Sequence, residues 1–159
     1  MLERIARIWE RRPDGEAVRQ SGAIPYAVVD GQVTFLLVTS RRTGKWIFPK
    51  GTPIPGLDAR GVAAREAFEE AGVEGELASE PIGSYAGVKV KGMRRTPILV
   101  DMYPLRVTIQ HEDWPEKGQR HRHWVVLQEA RRLLSEPQLV ALAERLRREV
   151  LAHADGIAG

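Results

Sequence analysis

The chain has 159 residues, 43% of them hydrophobic and 28% charged, within the ordinary range for a single globular domain. It contains no cysteine, which excludes a disulfide framework and a thiol nucleophile, and no apolar run nears the roughly 20 residues of a membrane-spanning helix. The net charge of +3 suits a polyanionic small ligand and does not by itself indicate nucleic acid.

In chain order, Leu2, Ile5, Ala6 and Trp9 recur at helical spacing among Glu and Arg. Residues 1–18 therefore read as an N-terminal extension with helical character. Its charged start lacks the apolar core of a signal peptide, and a cytoplasmic protein is expected. Residues 22–29 and 33–39 are β-branched and apolar, and Asp30-Gly31 between them predicts a hairpin. Residues 46–48 form another short apolar run, followed by a Gly- and Pro-rich loop over 50–57. Asp58 is placed to cap a helix over 59–71, which is Ala-rich and free of proline, and Gly72 sits where a left-handed residue would end it. Strands are expected over 77–90 and 97–107 around a turn at 91–95. A polar loop over 111–122, a short strand over 124–127 and one or two C-terminal helices complete the chain. Pro137 falls near the start of the last helix.

The stretch with most chemical content is Arg65-Glu66-Ala67-Phe68-Glu69-Glu70-Ala71-Gly72-Val73. On a helix Glu66 lies three and four residues from Glu69 and Glu70, so all three carboxylates share one side. Like charges at that spacing cost roughly 0.2–0.5 kcal/mol per pair. A solvated face tolerates this, and a cation removes it. Clustered hard oxygens suit Mg²⁺ or Mn²⁺. Zinc is not expected, because four scattered histidines make a poor ligand set.

Together with Gly51, this stretch resembles the Nudix box over residues 51–73. The family pattern is Gly, five residues, Glu, seven residues, then Arg-Glu-aliphatic-x-Glu-Glu-x-Gly-aliphatic. Two positions depart from it: Leu57 stands where the first Glu falls, and small Ala67 fills the aliphatic slot. The likeness extends from the preceding hairpin to the Trp124 strand and the helix after it. The loop Pro49-Lys50-Gly51-Thr52-Pro53-Ile54-Pro55-Gly56 is similar to that of bacterial relatives of diphosphoinositol polyphosphate and diadenosine polyphosphate hydrolases.

The resemblance implies an α+β fold over residues 1–159, a Nudix-type α/β/α sandwich with a mixed β-sheet. It implies metal binding by Glu66, Glu69, Glu70 and the Gly51 carbonyl, with Arg65 orienting the carboxylates. Glu70 is one candidate general base; Glu112, Asp113 and Glu116 in the later loop are others, and solvated acids are the alternative for each of these three. Arg41, Arg42, Lys45 and Lys50, with Arg19 on a neighbouring strand, are candidates for holding distal phosphates. Lys89, Lys91, Arg94 and Arg95 read as an exposed hairpin tip. Trp46, Trp124 and Phe68 read as core, and His111, His121 and His123 as surface.

The expected activity is Mg²⁺- or Mn²⁺-dependent pyrophosphate hydrolysis on a phosphate-rich small molecule of the diphosphoinositol or diadenosine polyphosphate class. A nucleotide-sugar or nucleoside triphosphate pyrophosphatase is the enzyme alternative. A ligand-binding regulator that kept the fold is the non-enzyme alternative, supported by Leu57 alone. No basic stripe with interleaved aromatics points to nucleic acid, no membrane partner is expected, and a monomer or homodimer fits equally.

Overall fold

The computed structural model describes residues 17–158. The helical reading of residues 1–16 lies outside them. A long strand β1 (Val18–Val29) turns through Asp30 and Gly31 into β2 (Gln32–Thr39). Both turn residues have positive φ, 51° and 76°, and Val29 pairs with Gln32 across a two-residue loop. This is the twist-matched hairpin that Asp-Gly predicts. Two short strands follow, β3 (Trp46–Ile47) on β2 and β4 (Lys50–Gly51) on β1.

The segment after β4 folds into helix α1 (Ala59–Glu66), which passes directly into a π-helical turn (Ala67–Ala71). Asp58 caps α1 by accepting the Gly61 amide at 2.7 Å. Gly72 ends the π turn at φ 68°, ψ 33°. Strands β5 (Val73–Leu77), β6 (Gly83–Lys91), β7 (Arg94–Gln110) and β8 (Arg122–Val126) come next, then helices α2 (Leu127–Leu133) and α3 (Pro137–Ala158).

All eight strands form one mixed sheet whose central order is β3-β2-β1-β7-β5. Among the described residues only β1 and β7 run parallel; the other strand pairs are antiparallel. Strand β7 carries the sheet. Along its other edge β6 pairs with the first half, to Met102, and β5 with the second half, from Leu105. That sharing corrects the strand expected over 77–90. The chain must leave one half of β7 and rejoin the other, and it does so over 78–82, where Pro81 has no amide to donate.

One core lies on each face of the sheet. On one side Ile24, Phe35, Leu37, Val100 and Met102 pack against Ala130, Leu139, Ala143 and Leu146 of the C-terminal helices. On the other, Ala63, Ala67 and Ala71 lie against Ala23, Leu36, Val38 and Leu105. The three alanines are fully buried. Methyl side chains on that stripe let the helix approach the sheet closely, which accounts for the small residue in the aliphatic slot. The result is an α/β/α sandwich. Among the described residues, no helix is long and apolar enough to cross a membrane.

Candidate active site

The site forms where β4, the π turn and the 111–121 loop meet. Gly51 lies directly over the Glu66 carboxyl, and a Cβ at position 51 would overlap it. Glycine is required there by close approach, not by backbone torsion. Glu66 and Glu70 face each other. Glu70 is 3% exposed and its Oε1 has no hydrogen-bond partner. Burial, with the hydrogen bond to Glu66 next, pushes the Glu70 carboxyl up to about 9. Burial also raises Glu66, while its hydrogen bond from Glu70 pulls it back. Both carboxyls are thus held above the ordinary carboxylate range, Glu70 the more strongly.

The sequence places all three glutamates on one side of a helix, and the structure pairs Glu66 with Glu70. The π turn adds a residue to the last turn. Glu69 lies 3.7 Å from Arg65 Nη1, and its charge still reaches Glu66. Among the described residues, no three acidic or histidine side chains converge as a preformed metal cage. A partnerless buried carboxylate oxygen beside a second carboxylate and a glycine backbone is nevertheless a hard-oxygen set, and it fits a divalent cation better than it fits empty space.

Arg120 is the residue that sequence reasoning missed. It is 9% exposed at the side chain and reaches three groups. Its Nη2 lies 3.6 Å from Glu70 Oε2, its Nε donates to Glu116 Oε1 at 3.0 Å, and its Nη1 donates to the Thr39 carbonyl at 3.0 Å. Glu116 also receives Arg41 Nε at 3.5 Å. Its carboxylate is therefore taken up by two guanidinium groups. Nothing in the local pattern Gln119-Arg120-His121 separates Arg120 from its neighbours; only the fold turns it inward. Glu112 and Asp113 stand on the same loop, and Asp113 pairs with Lys117 at 3.2 Å.

Arg41, Arg42, Lys45 and Lys50 do come together. They line one cavity of about 500 Å³ with Gln20, Lys89, Arg120 and Glu70. Lys50 lies deepest and donates to Gln20 Oε1 at 3.1 Å. Burial lowers its ammonium pKa; Glu70 opposes this, and Lys89 and Arg120 add to it. Arg41 also donates to Gln119 at 2.8 Å. Arg19 is a correction. Strand alternation sends it to the opposite face from Gln20, where its Nε donates to buried Asp101 at 2.9 Å, and Ser84 completes that carboxylate. Lys89, read as part of an exposed tip, is exposed and also lines the cavity.

The family model described as the NUDIX domain matches residues 19–149. Nudix hydrolase 21, chloroplastic, of Arabidopsis thaliana is 38% identical over 114 residues, covering 69% of this chain and 56% of that protein. Diphosphoinositol polyphosphate phosphohydrolase 2 of Rattus norvegicus is 34% identical over 116 residues, covering 70% and 61%. The chain matches 56%, 63% and 61% of the length of three Arabidopsis relatives. The solved Ap4A hydrolase of C. elegans is similar in fold, with a TM-score of 0.61 at 20% identity, covering 84% of this chain and 98% of that one.

Proposed function

The chain belongs to the Nudix domain family, and from that premise we propose that it hydrolyses a phosphoanhydride bond in a phosphate-rich small molecule of the dinucleoside polyphosphate or diphosphoinositol polyphosphate class. The observation that carries this reading is the junction of two features in one cavity. The buried Glu66–Glu70 pair adjoins a wall of Arg41, Arg42, Lys45, Lys50 and Arg120. Carboxylates hold a cation, and the basic wall holds phosphates that the cation does not reach. A substrate with two phosphates would leave most of that wall unused. The names of the rat and C. elegans relatives point the same way.

Glu66, Glu70 and the Gly51 backbone would hold a divalent ion, Mg²⁺ or Mn²⁺, and Glu69 would join them by leaving Arg65. Such an ion, when bound, supplies Lewis acidity at a phosphoryl oxygen and lowers the pKa of water. The remaining work belongs to the chain. With a cation held there neither Glu66 nor Glu70 would keep a proton, and a Glu70 oxygen that the ion does not engage would accept the proton from water. Arg120, already engaged by Glu116 and the Thr39 carbonyl, neutralises what remains of the Glu70 charge. Glu116 holds Arg120 and Arg41 in place, and we assign it this positioning role in preference to proton transfer. Arg65 orients Glu69.

A panel of diadenosine tetraphosphate, a diphosphoinositol pentakisphosphate and ADP-ribose, assayed with Mg²⁺ and with Mn²⁺, tests the proposal. Turnover should require the added ion and favour the first two substrates. A preference for ADP-ribose would overturn the polyphosphate assignment.

A further inference from the structure

The cavity beside Glu70 has a second wall that is not basic. It is built from Tyr85 and Ile98 of the sheet, Leu139 of α3, and Glu136 from the turn between α2 and α3. Glu136 forms no ion pair among the described residues, although six cationic side chains line the same cavity. Its Oε1 accepts the Gln138 amide and side chain, each at 3.3 Å. Gln138 is itself anchored to β6: it accepts the Ala86 amide at 3.1 Å and donates to the Ala86 carbonyl at 2.9 Å. The clamp fixes the carboxylate on the wall. Its charge reaches the Tyr85 hydroxyl, where burial and then Glu136 hold the phenol well above its ordinary pKa. Tyr85 therefore stays a neutral donor.

This wall has a different chemical preference from the other. An inositol ring phosphorylated at every carbon presents anions in all directions, so one of them must face Glu136. Like charges brought together in a partly desolvated site disfavour binding, which is how a site rejects a wrong ligand. Ile98 and Leu139 are nearly fully buried, so the group this wall offers a ligand is the Glu136 carboxylate, and a nucleoside brings it amine or hydroxyl donors and no negative charge.

Resting on the hydrolase reading above, we propose that Glu136 is a specificity-determining residue that makes the part of the cavity beside it a nucleoside subsite and selects dinucleoside polyphosphates over diphosphoinositol polyphosphates. The test compares wild type, Glu136→Gln and Glu136→Lys on diadenosine tetraphosphate and a diphosphoinositol pentakisphosphate. Wild type should prefer the dinucleotide. Glu136→Lys should shift the ratio of the two kcat/KM values by at least about tenfold toward the inositol substrate, mainly through KM, and Glu136→Gln should fall between.

Calorimetric binding of a methylene-bridged dinucleotide analogue and of inositol hexakisphosphate reads the same selectivity without turnover. If neither substrate is hydrolysed but Glu136→Lys still shifts binding in that sense, the hydrolase reading fails and the subsite stands. A wild-type preference for the inositol compound, or equal changes on both ligands, overturns the subsite.

Discussion

At the scale of single residues, Glu70 is the most informative atom group in the chain. A carboxyl that is buried, short of one hydrogen-bond partner and raised to about 9 is destabilised in its charged form. In the metal-free protein the native state keeps a proton that the unfolded chain releases near the ordinary value of 4.5. The stability from that proton is complete below about 4.5 and is lost as pH rises through about 9. Metal-free protein should therefore melt at a lower temperature at pH 9 than at pH 6, and Glu70→Gln should flatten that difference. The same substitution should reduce turnover by about a hundredfold or more, because the amide cannot replace a ligating carboxylate. Thermal melts in EDTA across pH, paired with assays in Mg²⁺, separate the two effects. Wild-type turnover in Glu70→Gln would refute the assignment of the site.

At the scale of elements, the π turn is held by the loop over 111–121. Four successive carbonyls at the helix end each receive a donor from that loop or from β8. His111 N reaches Gly72 O at 2.8 Å, and Glu116 N reaches Glu69 O at 3.0 Å. Trp114 Nε1 reaches Glu70 O at 3.1 Å, and Arg122 Nη1 reaches Ala71 O at 2.9 Å. The Arg122 guanidinium stacks on the Trp114 ring at 3.8 Å. Carbonyls at a helix end need such partners. Gly72 sits under this stack at positive φ, and a Cβ there would lie 2.8 Å from both Arg122 Nη1 and the Trp114 ring. Gly72→Ala should cost about 1–3 kcal/mol from torsional strain and overlap, measurable by urea denaturation. Trp114→Ala should loosen the turn that carries Glu70, and hydrogen exchange at residues 67–72 should rise with it. The 52–58 loop is a different case. Leu57 is 37% exposed and lines a cavity of about 340 Å³ with Arg65, so a carboxylate there would meet Arg65 and leave the Glu66–Glu70 pair in place. Leu57→Glu should keep kcat/KM within about tenfold of wild type, a barrier change of ~1.4 kcal/mol. A gain of several hundredfold would favour a regulator with a degenerate box.

At the scale of the whole molecule, the sheet brings together cations from distant parts of the chain. Arg41 and Arg42 come from the loop after β2, Lys50 from β4, Lys89 from β6 and Arg120 from the loop before β8. Their mutual repulsion is tolerable in solvent and is relieved by a polyanion. Charge-assisted contacts contribute ~1.5–3 kcal/mol each at best, less when exposed. Arg41→Ala with Arg42→Ala should therefore raise KM for diadenosine tetraphosphate by about ten- to a thousandfold, with a smaller change in kcat. ADP-ribose should be affected far less. Equal losses on both substrates, or insensitivity of KM to added salt, would show that the wall does not bind phosphates.

The sequence by itself determined whatever depends on near neighbours. Asp30-Gly31 set the first hairpin because those two residues tolerate positive φ. Asp58 and Gly72 set the two ends of the helical segment, and the spacing from Gly51 to Gly72 marked the box. The tertiary structure decided whatever depends on residues far apart. It turned the last five residues of the box helix into a π turn, because the loop before β8 offers donors to its carbonyls. It took Arg19 out of the basic cluster and gave it to Asp101, 82 residues away. It sent Arg120 to Glu70, occupied Glu116 with two arginines, and set Glu136 in the same cavity as the basic residues. Side-chain charge is written in the sequence. Which charges meet, and which are left buried without a partner, depends on the pairing of strands whose register is fixed only when both faces of the sheet are packed.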